Sequence, residues 1–277
     1  MDNSFLVKNE DIENFRKVTN MLDQEGIYLV YKTDKKVLEK IIPYPLEVSD
    51  IPLAFLSISN IKNPTFADRY YETILSVAVK YKNETGAYPI SLLLGGFGSE
   101  MATYSGRDFG SMPKKLGAQF NFRKNNNDIC VSVSRRGFQI LNLKMKLGEY
   151  NNEIADKILG SPFEGKQRRS SSYFFYIDKI ARQYKDNLKD QSSLIKSNST
   201  MVYKSWEKGS IKLDINSSLD DPRGCVPIIE MLGGGYSNND LLLNGGEWME
   251  FVDASKVLPK ILYSRYDKTV FNHLGRI

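Results

Sequence analysis

The sequence predicts a mainly β protein with a few helices, a sandwich or barrel and not an alternation of β and α units. Short runs rich in Val, Ile, Leu, Tyr and Phe recur from Leu53 to Val252, and such runs read as strands. Clusters of Gly, Asn, Asp, Ser and Pro separate them, which is the spacing of all-β architectures. Helix-period patterning with capping residues is confined to the stretch before Pro43.

Taken in order, Asn9 caps a short amphipathic helix with Ile12, Phe15, Val18 or Thr19, and Leu22 on one face. Gly26 stops it, and Ile27 to Lys32 reads as a strand. Thr33 and Asp34 cap a second helix carrying Val37, Leu38, Ile41 and Ile42, and Pro43 ends it. Strands follow at Leu53 to Ile61, Thr73 to Tyr81, Ile90 to Leu94, Ala118 to Phe122, Ile129 to Ser134 and Phe138 to Leu143. Further strands are expected at Met201 to Trp206, Ile211 to Ile215, Val226 to Leu232 and Trp248 to Val252. Tyr173 to Ile177 reads equally as a strand or as part of a basic helix running to Asp190, and Gln191 to Asn198 reads as a polar loop. No internal repeat or boundary divides the chain, so residues 1–277 are expected to form one domain, with 1–23 as an N-terminal helical extension.

Composition removes several function classes. The 277 residues are 41% hydrophobic and 26% charged, ordinary for a globular chain and inconsistent with intrinsic disorder. The net charge of +5 is far from the clustered positive field of a nucleic-acid binder. The two cysteines, Cys130 and Cys225, and the single histidine, His273, leave no disulfide framework, Cys/His zinc site or histidine-based nucleophile machinery. No segment reaches the ~18 to 20 apolar residues of a membrane span. Met1-Asp-Asn-Ser lacks the features of a signal peptide. A cytoplasmic protein with neither nucleic-acid nor membrane partner is therefore expected.

Three segments invite a functional reading. Leu94-Gly-Gly-Phe-Gly-Ser-Glu100 follows a strand but lacks both the Gly-Lys-Ser/Thr ending and the dinucleotide spacing, and with Gly233 to Gly235 and Gly245-Gly246 it reads as a turn. Lys166-Gln-Arg-Arg169 is one short basic cluster, most simply a solvated loop. Gly106-Arg-Asp-Phe-Gly-Ser-Met-Pro-Lys-Lys-Leu-Gly117 sets a lysine pair among Phe109, Met112 and Leu116. A protonated amine is no nucleophile, and apolar surroundings or a nearby cation favour its neutral form. A lysine that forms Schiff bases needs such a frame, although from residue types alone two surface lysines in a loop are the simpler reading.

The segment Gly106 to Gly117 resembles the active-site lysine motif of the acetoacetate decarboxylase family, in which a Gly-Arg-acid stretch leads into Pro-Lys-Lys-Leu-Gly. Leu29 to Asp34, followed by Val37 to Glu47 with its Pro-Tyr-Pro-Leu-Glu turn, is similar to that family's opening strand, helix and turn. Tyr70-Tyr-Glu-Thr73 resembles its Tyr-x-Glu strand start. Ser205-Trp206 and Asp220 to Ile229 resemble its C-terminal strands. The similarity runs in order over residues 24 to 270, and the lysine motif is its most specific part.

The resemblance implies an antiparallel cone- or barrel-like β-sheet with a few helices, assembled into homo-oligomers. It implies Lys114 as the nucleophile that condenses with the ketone of a small keto acid, the imine then accepting electrons as CO2 leaves. No cofactor or metal is required for this. Glu72 is implied as a proton-shuttling or orienting carboxylate, with Lys115 counted beside Lys114 in the catalytic pair and Tyr70 as a companion in the pocket, and the apolar frame makes Met112 and Phe109 candidate walls. Two positions depart from the family pattern: Gln24 stands where decarboxylases carry an arginine for the substrate carboxylate, and Ser57 where they carry a second glutamate. Losing a guanidinium fork is not conservative for holding a carboxylate. Three readings stay open: a Schiff-base decarboxylase of a small β-keto acid, a Schiff-base aldolase or dehydratase of a keto acid, and a non-catalytic binding protein of this fold.

For Lys114 itself, two explanations of a neutral amine compete. If Lys114 and Lys115 lie in extended chain, their side chains leave on opposite faces. At ~10 Å and an effective dielectric near 20, the two charges then interact by only about 1.7 kcal/mol. Full burial moves a lysine's proton affinity by about three to five powers of ten. Desolvation is therefore expected to outweigh repulsion from Lys115.

Overall fold

The computed structural model describes residues 6–17, 19–159, 166–179 and 191–268. The chain opens with α1 (Asn9–Lys17) and continues through β1 (Asn20–Lys32), α2 (Lys35–Ile41), β2 (Glu47–Val48), β3 (Leu53–Pro64), β4 (Tyr70–Tyr81) and β5 (Glu84–Gly95). Then follow α3 (Ser99–Asp108), β6 (Lys114–Lys115), β7 (Ala118–Asn125), β8 (Asp128–Arg135), β9 (Phe138–Leu147) and α4 (Ile154–Leu159). The strands β10 (Gln167–Lys179) and β11 (Gln191–Ile215), a 3-10 turn (Arg223–Cys225), β12 (Glu230–Asp253) and α5 (Ala254–Arg265) follow. Strand dominates, as the patterning predicts.

Neighbouring strands run in the order β10, β5, β4, β3, β1, β12, β11, and β11 pairs back onto β10, so the sheet closes into a ring. Strands β9, β8 and β7 extend from β11 as an antiparallel appendage. The largest core cluster includes Leu29, Leu56, Leu75 and Val77 from the ring together with Val131 and Leu141 from the appendage. A smaller cluster, Met21, Ile61, Tyr70, Leu92, Leu94 and Ala102, joins the ring to α3. Along β4 the two clusters take alternate residues: Tyr70 belongs to one, Leu75 and Val77 to the other, as a period of two requires. Among the described residues no helix is long and apolar enough to cross a membrane.

Several elements differ from expectation. The first helix ends at Lys17, so Leu22 lies in a strand, while Val18 is outside the described residues. Gly26 is no helix stop; it sits within β1, where a Cβ would stand 2.4 Å from the Ile58 carbonyl oxygen. The second helix forms as read, with the Asp34 carboxylate accepting from the Lys36 and Val37 amides at 2.7 and 3.3 Å.

Residues 191–198 are not a loop but the start of one long strand that also absorbs the two expected at 201–206 and 211–215. Their amides and carbonyls pair with β10 on one side and β12 on the other, and such pairing overrides the turn preference of Ser and Asn. Gly233 to Gly235 and Gly245-Gly246 likewise lie inside β12 and not in turns. The Val226 to Leu232 strand begins only at Glu230, after the 3-10 turn. Tyr173 to Ile177 is strand; residues 180–190 and His273 are outside the described residues. Helices α3, α4 and α5 were not expected. The segment at Leu94 to Glu100 is a turn between a strand and α3, not between strands.

Candidate active site

The lysine pair forms a strand of only two residues, parallel to β5, with Lys114 opposite Leu92 and Lys115 opposite Leu93. Extended backbone sends the two side chains apart. The Lys114 side chain is 1% exposed, and its Nζ lies 3.2 Å from the Ala102 carbonyl oxygen and 3.3 Å from Glu72 Oε2. The rings of Tyr70 and Phe66 stand beside it, with centroids 5.5 and 5.8 Å from Nζ. Lys115 points elsewhere: it donates to the carbonyls of Asp220 at 2.7 Å and Tyr263 at 2.6 Å, and stands 3.6 Å from Asp267. Burial pulls its pKa below the usual lysine range, against the opposing pull of Asp221 and Asp267. Lys115 is an anchor for its strand and takes no place in the Lys114 cavity.

Strand β4 supplies the carboxylate. Tyr70 and Glu72 share one face, both buried, while Tyr71 leaves on the other and stacks on Phe120 at 5.5 Å. Burial, then the charge of Glu72, pushes the Tyr70 phenol well above its ordinary range, so it stays a neutral hydroxyl. Among the described residues the buried Tyr70 hydroxyl has no hydrogen-bond partner, and Glu72 Oε2 has only its ion pair with Lys114. An amine and a carboxylate this close, removed from bulk water, can pass a proton between a bound molecule and each other.

A cavity of about 160 Å3 opens onto Lys114. Its walls include Met21, Phe66, Phe109, Met112, Ile195 and Leu243, with Ser105, Ser197 and Thr19 as its few hydroxyls. Lys114 is the only charged side chain among the described residues that line it. Met112 and Phe109 are on the wall, while Glu72 and Tyr70 stand beside the lysine without lining the cavity. Gln24 and Ser57 do not line it. The Gln24 amide donates to the Met21 carbonyl and accepts from the Tyr28 hydroxyl, within a polar group completed by Ser59 and Asn239. Ser57 sits on β3 opposite Tyr28 and Ile74.

Helix α3 contributes what the sequence reading missed. It supplies the Ala102 carbonyl, Ser105 and a notch at Gly106, where a Cβ would fall 2.6 Å from Lys114 Cε and 3.0 Å from Nζ. The glycine within the lysine motif was visible, but nothing in the sequence put it against the lysine side chain. Alanine at 106 is the better helix former, so Gly106→Ala should keep the fold and Tm. The added methyl must push the amine aside, and an ångström of misplacement costs about 100-fold. Borohydride trapping of a bound ketone should fall by about that factor; unchanged trapping would show that the notch is not needed.

Comparison with known proteins agrees with this architecture. The profile of the family described as acetoacetate decarboxylase (ADC) matches residues 8–251. The chain belongs to the acetoacetate decarboxylase family. A CLA biosynthesis isomerase of Lactiplantibacillus plantarum is 33% identical over 273 residues, 97% of this chain and 96% of that protein. An acetoacetate decarboxylase of Streptomyces nogalater is 34% identical over 95 residues, 34% of this chain and 37% of that protein. The crystal structure of an acetoacetate decarboxylase from Legionella pneumophila shares the fold, with a TM-score of 0.70, 19% identity, and coverage of 91% of this chain and 99% of that one.

Proposed function

We propose that this chain is a carbonyl-activating isomerase that moves a carbon–carbon double bond in an apolar, unsaturated ketone. The observation that carries this reading is Lys114 on a cavity with apolar walls and, among the described residues that line it, no second cation, with the Glu72 carboxylate 3.3 Å from the amine. Glu72, 3.3 Å from Nζ, takes a proton from the Lys114 ammonium, the freed amine adds to the substrate carbonyl, and the same proton returns to the carbinolamine oxygen as water leaves to give an iminium. The iminium acidifies the adjacent C–H, and the Glu72 carboxylate takes that proton, leaving a conjugated enamine. The proton returns at the far end of the conjugated system, and water releases the isomerised ketone and the free amine. No atom is lost, and no carboxylate has to be held. The near full-length relative named as an isomerase supports this reading over decarboxylation.

Decarboxylation of a small β-keto acid is the second reading, favoured by the family and by the matching segments of decarboxylases. The same iminium would accept electrons from a breaking C–C bond. Two substrates separate the two: a β,γ-unsaturated ketone, followed by absorbance of its conjugated product, and acetoacetate, followed by CO2. Isomerisation without CO2 release is expected. Faster turnover of acetoacetate would replace the first reading by the second, and turnover of neither would leave the aldolase or dehydratase and the binding protein, which borohydride trapping with a keto acid separates.

Glu72→Gln separates the proton's carrier from the electron sink. It should lower turnover by about 100- to 10,000-fold, the usual worth of a positioned general base. Borohydride should still trap the ketone on the lysine. Full turnover in this variant would place the proton transfer on another group.

A further inference from the structure

Behind the catalytic strand lies a second cavity, of about 430 Å3, bounded by α3, the end of α5 and the turn at Arg135 and Arg136. Cations dominate it, and most have partners. Asp267 takes both Arg135 guanidinium nitrogens at 2.9 Å and one from Arg136 at 2.8 Å, and Arg136 also reaches Asp220 at 2.9 Å.

Arg107 and Arg265 are different. Among the described residues neither has a carboxylate partner, although Asp108 also lines the cleft. Arg107 reaches only the main-chain oxygens of Lys114 at 3.4 Å and Arg265 at 3.3 Å, and lies over the Tyr266 ring at 4.9 Å. Arg265 donates to the carbonyls of Ser111 at 2.7 Å and Phe175 at 3.4 Å, and its Nε–H is buried without an acceptor. Burial and the charge of Arg107 both work against the Arg265 cation. A carbonyl accepts a hydrogen bond but cancels no charge, so two half-buried guanidiniums facing one cleft are stabilised by an anion that both can reach.

We propose that this cleft is an oxyanion-binding site in which Arg107 and Arg265 hold a small phosphate or carboxylate group, separate from the Lys114 cavity. Lys114 is a shared wall, since Arg107 rests against its carbonyl.

The test is calorimetric titration of the full chain with inorganic phosphate and, separately, with acetate, at fixed ionic strength. Saturable binding of one anion per chain is expected for at least one of the two, and the stronger identifies the ligand class. Arg107→Gln should weaken it about tenfold or more, the usual worth of a charge-assisted contact. Arg69→Gln, at an exposed arginine bonded to Asn60 and Tyr71, should leave it unchanged. Should Arg107→Gln fail to fold, Arg107→Lys keeps the charge but loses the fork, and a several-fold weakening is then expected. Absence of saturable binding to the native chain, or equal binding by the Arg107 and Arg69 variants, would overturn the assignment.

Discussion

Replacing Lys114 by methionine should abolish turnover, with a loss on the order of 10,000-fold or more, as deletion of a covalent nucleophile does. Methionine keeps much of the lysine's volume among Phe66, Tyr70 and Ala102, so the fold should survive and the loss should be chemical. Peptide mapping after borohydride reduction should place the label on Lys114 in the native chain, and the variant should take none. Lys115→Gln should still be labelled at Lys114, because Lys115 is bound to the carbonyls of Asp220 and Tyr263 and does not enter the cavity. A label that appears on Lys115, or survives in the methionine variant, would remove Lys114 from the mechanism.

The largest effect on stability should come from Asp221→Ala. Arg223 is 1% exposed, and Asp221 is the carboxylate beside it, 3.4 Å from Nη2. The guanidinium also donates to Thr73 Oγ1 at 3.2 Å and Ser91 Oγ at 2.6 Å, while Ser91 donates to Asp221 at 2.7 Å. Breaking one side of a buried pair leaves the other charge uncompensated, which costs about 3 to 5 kcal/mol. In a chain of this size that is roughly ten degrees of Tm. The contacts tie β4 and β5 together one residue behind Glu72 and Leu92, so turnover should fall as well. A Tm within about two degrees of native would mean that Asp221 does not neutralise the arginine.

Fold class and family were legible because both rest on local signals: period-two runs of β-branched and aromatic residues, and the compact motif from Gly106 to Gly117. Strand alternation alone puts Tyr70 and Glu72 on one face. What escaped depends on distant partners. Residues 191–198 are polar and turn-like by themselves and become strand only between β10 and β12. Helix α3 carries Thr103, Ser105 and Gly106 in ten residues, a pattern with little apolar periodicity, and it forms against the lysine it helps to position. The cavity wall at Ile195, Ser197 and Leu243 is far from Lys114 in sequence, so no motif could announce it. Gln24 was assigned to the pocket by position in a pattern, whereas its amide is engaged with Met21 and Tyr28.

The Lys114–Glu72 ion pair and the far wall of the cavity come from different parts of the chain. Lys114 and Glu72 belong to β6 and β4, steadied by α3, whereas Ile195, Ser197, Leu243, Gly245 and Gly246 come from the long ribbon of β11 and β12. The buried ion pair and the wall facing it can therefore change independently. Substitutions along the ribbon can reshape the cavity wall while the Lys114–Glu72 ion pair stays untouched.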